Sequence, residues 1–195
     1  LTFENLFFKD LHANDFAKQQ YVRAFKKRPH LSKIKLDSYS NCTYLKAGEV
    51  FESKAYNELE RRYVSALSLT YDLFVSIYDV NTRSTAAARF VNFDRTVQHY
   101  FEGFVKSLRR PALEVRVMGM QDNQQVSTLY GLADMIAQHR LEVFEVDLFG
   151  KNTRHIAIDM ATGMSFNVLV EDRIYKPGEL ENKMTMEQFE KGLKA

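Results

Sequence analysis

The sequence predicts an α+β fold, a mixed β-sheet core with helices packed outside it, on three observations. Residues 73–80 (LFVSIYDV) are continuously apolar, aromatic or β-branched, the composition of a buried strand. Val97, Tyr100, Phe101, Phe104, Val105 and Leu108 recur at helical spacing behind Asp94, which sits where an N-cap belongs. Downstream of these the patterns run strand, helix, strand, helix, strand, an order that lays helices on one face of a mixed sheet.

Taken in order, Phe3, Leu6, Phe7 and Leu11, then Phe16, Tyr21 and Phe25, mark two short amphipathic helices with a break near Asn14. Asn14 or Asp15 caps the second helix, and the Arg28–Pro29 pair ends it, because proline disfavours helix in the residue before it. The basic cluster Lys26, Lys27 and Arg28 then leads into an irregular stretch. Residues 44–51 (YLKAGEVF) read as a short strand with a turn at Ala47 and Gly48, before a polar region over 57–62. The strand at 73–80 and a second at 86–93 (AAARFVNF) form a hairpin across the polar turn 81–83.

After the capped helix, which Pro111 ends, residues 112–119 supply a strand, and Leu129, Leu132, Ala133 and Ile136 mark another amphipathic helix. Residues 141–150 are a further strand. Residues 154–160 and 164–170 pair as a hairpin through the glycine-bearing link 161–163. Thr185 and Gln188 match a capping box ahead of Phe189 and Leu193, so a tail helix starts there.

Composition narrows the function classes. With 45% hydrophobic residues the chain supplies one sizeable core, and 27 Lys and Arg against 25 Asp and Glu give no global field for nucleic acid or a membrane surface. No apolar run approaches the roughly 20 residues that span a bilayer, and a single cysteine, Cys42, makes no internal disulfide. With no signal-peptide pattern at its start, the sequence is expected to be cytoplasmic. His12, His30, His99, His139 and His155 show no metal-ligand spacing, so neither a metal nor a cofactor is expected, and ordinary surface or boundary roles account for them. The helix dipole suffices to account for His139, near a helix end.

Two stretches carry a resemblance to a known family. Residues 44–51 are similar to the strand-opening Leu-Lys-Pro-Gly-Glu signature of the CheD proteins, the chemoreceptor glutamine deamidases of bacterial chemotaxis, with Ala47 in place of proline. Residues 67–90 resemble that family's passage from a Gly-Ser-Cys turn, through an apolar strand ending in Tyr-Asp, here Tyr78 and Asp79, to a histidine-bearing strand. Residues 113–119 and 141–163 resemble its strand into a Gly-Gly turn and its later Asp-x-Gly-Gly turn, arginine and Thr-Gly hairpin, with Asp147, Gly150, Arg154, Thr162 and Gly163 at matching positions. The resemblance spans roughly residues 43–170, and residues 1–42 and 171–195 lie outside it; the expected organisation is a helical extension over 1–42, packed on a CheD-like domain over 43–195 that ends in the tail helix.

The resemblance also implies a chemistry: a cysteine thiolate attacks a glutamine side-chain amide, ammonia leaves, and water releases glutamate, assisted by a histidine and by backbone N–H donors. In the register set by Tyr78 and Asp79, the family's threonine, cysteine and histidine positions fall on Ala66, Asp72 and Arg89. A carboxylate is a poor nucleophile toward an unactivated amide and a guanidinium is not a base, so no catalytic residues are expected. Asp72 and Arg89 are expected to face each other as an ion pair. The family's paired glycines become Gly119-Met120 and Phe149-Gly150, which bears on the backbone shape of the cleft.

The first reading is a CheD-like, catalytically inactive binding or regulatory domain, its partner a chemoreceptor-like helix or a CheC-like regulator. The alternative is an active protein-glutamine deamidase or related amidohydrolase with Cys42 or Asp72 as a relocated nucleophile. A third is an assembly role carried by the N-terminal helices.

Overall fold

A strand whose two faces are both buried needs a layer on each side, and the all-buried segment Leu73–Asp79 has them. The computed structural model describes residues 15–26, 33–35, 41–121, 126–169 and 183–194. Its elements are α1 (Asp15–Lys26), β1 (Lys33–Lys35), β2 (Cys42–Tyr44), β3 (Glu49–Ser53), β4 (Tyr63–Leu69), β5 (Leu73–Asp79), β6 (Ser84–Phe90) and α2 (Arg95–Lys106). They continue as β7 (Leu113–Gly119), α3 (Val126–Gln138), β8 (Glu142–Leu148), β9 (Arg154–Asp159), β10 (Ser165–Leu169), β11 (Lys183–Thr185) and α4 (Met186–Lys194).

These elements make the expected α+β fold, but with two mixed sheets among the described residues where one was expected. One sheet is ordered β11-β3-β6-β5-β7-β8, the other β1-β10-β9-β4-β2. Alternation along β5 divides the core. Leu73, Val75 and Ile77 join Val115 and Val117 under Val97, Phe101, Leu129 and Ile136 of the helices. Phe74, with Ala87 and Met118, instead meets Val64, Ala66, Ile156 and Ile158 of the second sheet. The layers are therefore helices, six-stranded sheet, five-stranded sheet.

The capped helix is as expected at its start: the Asp94 carboxylate accepts the Val97 N–H at 3.0 Å. It stops at Lys106, ahead of Pro111, with Ser107 as its C-cap: the Ser107 hydroxyl donates to the Phe104 carbonyl at 2.7 Å, and the Leu108 N–H reaches back only three residues, to Val105 at 3.3 Å. The β5–β6 hairpin turns over residues 80–83, so β6 begins two residues earlier than expected and ends at Phe90. Residues 44–51 are not one strand: β2 and β3 flank the turn and belong to different sheets. The irregular stretch after the basic cluster contains β1, which pairs parallel to β10.

In α1 Tyr21 is buried as expected, between Ala17 and Ala24, while Phe16 is only half-buried and the Phe25 side chain lies outside the described residues. Phe16 instead lies beneath the Arg140 guanidinium, 4.8 Å from its ring centroid. The helix expected over 3–11, the break at Asn14, the Arg28–Pro29 stop, the basic cluster beyond Lys26, His12 and His30 lie outside the described residues, as do the side chains of Gln188 and Leu193. No described helix is long and apolar enough to cross a membrane.

Candidate functional site

The site predicted from the sequence lies at the end of the sheets where β5 begins, β6 ends and β4 is distorted. Arg89 pairs in register with Phe74, not with Asp72, because β5 starts only at Leu73. Asp72 sits one residue before the strand, on the same alternating face as Phe74. Its side chain meets Arg89 diagonally, with Arg89 Nε donating to Asp72 Oδ2 at 2.5 Å. Asp72 is buried and the Arg89 side chain is 12% exposed, and Asp72 Oδ1 also accepts the Thr70 N–H at 3.2 Å.

The remaining guanidinium donors cross to the other sheet. Arg89 Nη1 donates to the carbonyls of Leu67 at 2.7 Å and Leu45 at 3.0 Å, and Nη2 to that of Ser68 at 3.3 Å. The Leu67 and Ser68 carbonyls are free because β4 bulges against β9: Ala66 pairs with Ile156 and Leu69 with Arg154, leaving Leu67 and Ser68 opposite His155 alone. Ser68 takes a left-handed φ of 56° there, and its N–H donates to His155 Nδ1 at 2.9 Å. That bond places the imidazole proton on Nε2. Burial, and then the Arg89 charge, hold the His155 pKa below its ordinary value.

A second crossing link stands beside the first. Arg154 binds the Asp147 carboxylate through two nitrogens, at 2.9 and 3.1 Å, and also donates to the Phe149 carbonyl. Between the two links the loops after β7 and β8 abut: the Met120 N–H donates to the Asp72 carbonyl at 2.9 Å and the Phe149 N–H to the Met120 carbonyl at 2.8 Å. The expected glycine pairs retain a glycine-like backbone on both members. Gly119 and Met120 have φ of 115° and 52°, and Phe149 and Gly150 have φ of 65° and 96°. A Cβ at Gly119 would stand 2.3 Å from the Asp72 carbonyl oxygen, so that loop can close on Asp72 only with glycine there.

The structure thus joins two of the sequence-predicted positions, Asp72 and Arg89, as the expected ion pair. Ala66 is fully buried in the apolar layer between the sheets, one residue before the Leu67 carbonyl that Arg89 uses. Cys42 lies apart, packed with Tyr44, Ala157 and Val168 in a separate cluster. Burial pushes its thiol up to about 12, so it is not ionised at neutral pH. His139 Nε2 stands 3.3 Å from the Glu102 carboxylate of α2, a specific neighbour beyond the helix dipole, and His99 is exposed. Among the described residues no three His, Cys, Asp or Glu side chains converge as a metal site would require.

His155 is the residue of this cluster that sequence reasoning passed over, since it abuts Ser68 only through a bulge without sequence signature. No family model matches the chain, and no curated protein matches it.

Proposed function

We propose that the chain is a CheD-like regulatory domain that binds a protein partner at the Asp72–Arg89 end of its sheets and does not turn it over. The partner in this reading is a chemoreceptor-like helix or a CheC-like regulator of a bacterial chemotaxis system in the cytoplasm. One observation supports it: Arg89 and Asp72, which the sequence resemblance aligns with the family's histidine and cysteine, engage each other and three carbonyls, an arrangement that fixes shape but relays no proton. The alternative, an active glutamine deamidase with a displaced nucleophile, would need Cys42 as a thiolate or Asp72 as the attacking carboxylate; burial opposes the first, and both Asp72 oxygens are engaged, by Arg89 Nε and the Thr70 N–H.

The ring of Tyr71, 57% exposed and next to Asp72, offers a partner an aromatic anchor at this end. Tyr71→Ala is expected to weaken binding of a helical chemoreceptor fragment by about tenfold or more, with the melting temperature unchanged. Equal affinity in parent and variant, or no affinity in either, measured by calorimetry, would remove this reading.

A further inference from the structure

A second concavity, of about 210 Å3, opens between α1 and the edge strand β8 and is lined by Gln20, Arg23, Glu142, Val143 and Phe144. None of these residues belongs to the Asp72–Arg89 cluster, and the inference here does not rest on how that cluster is read. Gln20 is 7% exposed and lines this cavity without a hydrogen bond to another described residue. Two opposite charges line the same cavity, Arg23 and Glu142, and neither is ion-paired among the described residues. Both residues are exposed.

The apolar side of the cavity is also specific. Phe144 is the extra residue of a bulge, since Val143 pairs with Val115 and Glu145 with Arg116, and it remains 40% exposed. Phe144 lies on the exposed side of the strand between buried Val143 and Glu145, and the Arg116 guanidinium stands 5.7 Å from its ring centroid. The cavity is smaller than the roughly 300–1,000 Å3 of sites for drug-sized ligands, so nucleotides and peptides are too large for it.

We propose that this cavity binds a small zwitterion, a free amino acid. Its carboxylate would be met by the Arg23 guanidinium and the Gln20 amide N–H, its ammonium by the Glu142 carboxylate, and its side chain by the Phe144 ring. The test uses the full chain and the proteinogenic amino acids one at a time at millimolar concentration, read by thermal shift and calorimetry. At least one is expected to bind saturably, while its N-acetylated and carboxamide forms do not. Arg23→Ala and Glu142→Ala should each weaken it about ten- to hundredfold, the range for hydrogen bonds to charged groups. Gln20→Leu should abolish binding and leave the melting temperature of the ligand-free chain unchanged. No response to any amino acid, or binding that survives both alanine variants or Gln20→Leu, would overturn the proposal.

Discussion

Arg89→Met is the perturbation that the geometry of the sheet ends makes most telling. It removes the ion pair to Asp72 and the three donor bonds to the carbonyls of Leu45, Leu67 and Ser68, and it leaves the Asp72 carboxylate buried without a counter-charge. Breaking one side of a buried pair costs about 3–5 kcal/mol. At about 2–4 °C per kcal/mol for a domain of this size, the melting temperature should fall by roughly 6–20 °C. Asp72→Leu should sit at the lower end of that range, since the guanidinium keeps its carbonyl partners. The double variant Asp72→Leu with Arg89→Met leaves only orphaned carbonyls, some reachable by water, and should cost about 1–3 kcal/mol, less than Arg89→Met alone. Urea unfolding of the four proteins measures the cycle. Single costs that simply add, within about 0.5 kcal/mol, would mean that the two residues do not act as a buried pair.

Two further outcomes follow from the same end of the fold. The depressed His155 pKa means that the unfolded chain binds its proton first as pH falls. Its contribution is therefore full above the ordinary histidine value near 6.5 and is lost as pH drops from there through the folded value. Protonation also removes the acceptor for the Ser68 N–H, and His155→Gln, whose amide oxygen can accept it, should flatten the stability–pH curve between pH 7 and 5; an unchanged slope would refute this. Gly119→Ala should cost about 3 kcal/mol or more, because a left-handed backbone and a backbone oxygen 2.3 Å from the new Cβ both oppose it. Gly150→Ala meets nothing within 4 Å and should cost only about 1–2 kcal/mol, so the reverse order in denaturant midpoints would contradict the account.

The fold was legible where one residue pattern answered to one physical demand. The 3.6-residue period behind Asp94 gave α2 with its cap, and the unbroken apolar run at 73–79 gave a central strand. That run held more than was taken from it: a strand buried on both faces calls for a second layer, and the second layer is the five-stranded sheet. β4 went unrecognised because Ser65 and Ser68 interrupt its apolar pattern. Ser65 is nonetheless buried, its hydroxyl donating to the Ile156 carbonyl at 2.8 Å. At the site, the charge pair was readable because strand register carries two residues to neighbouring places, though the exact pairing was off by two. His155 was not readable, since only the bulge at Leu67 and Ser68 brings it to the arginine, and a bulge is a property of pairing between distant strands. Gln20 was hidden for a similar reason: on a helical wheel it borders the apolar stripe of Ala17, Tyr21 and Ala24, and only the packing of α1 beside β8 shows it facing a cavity.

The central claim, partner binding without turnover, is tested most directly by one titration in which a glutamine-bearing helical chemoreceptor fragment is added to the full chain while bound fragment and released ammonia are both measured. The account predicts saturable binding, ammonia no higher than in fragment alone, and the same behaviour in Cys42→Ala. Ammonia release in proportion to the chain, abolished by Cys42→Ala, would contradict it and establish a relocated nucleophile.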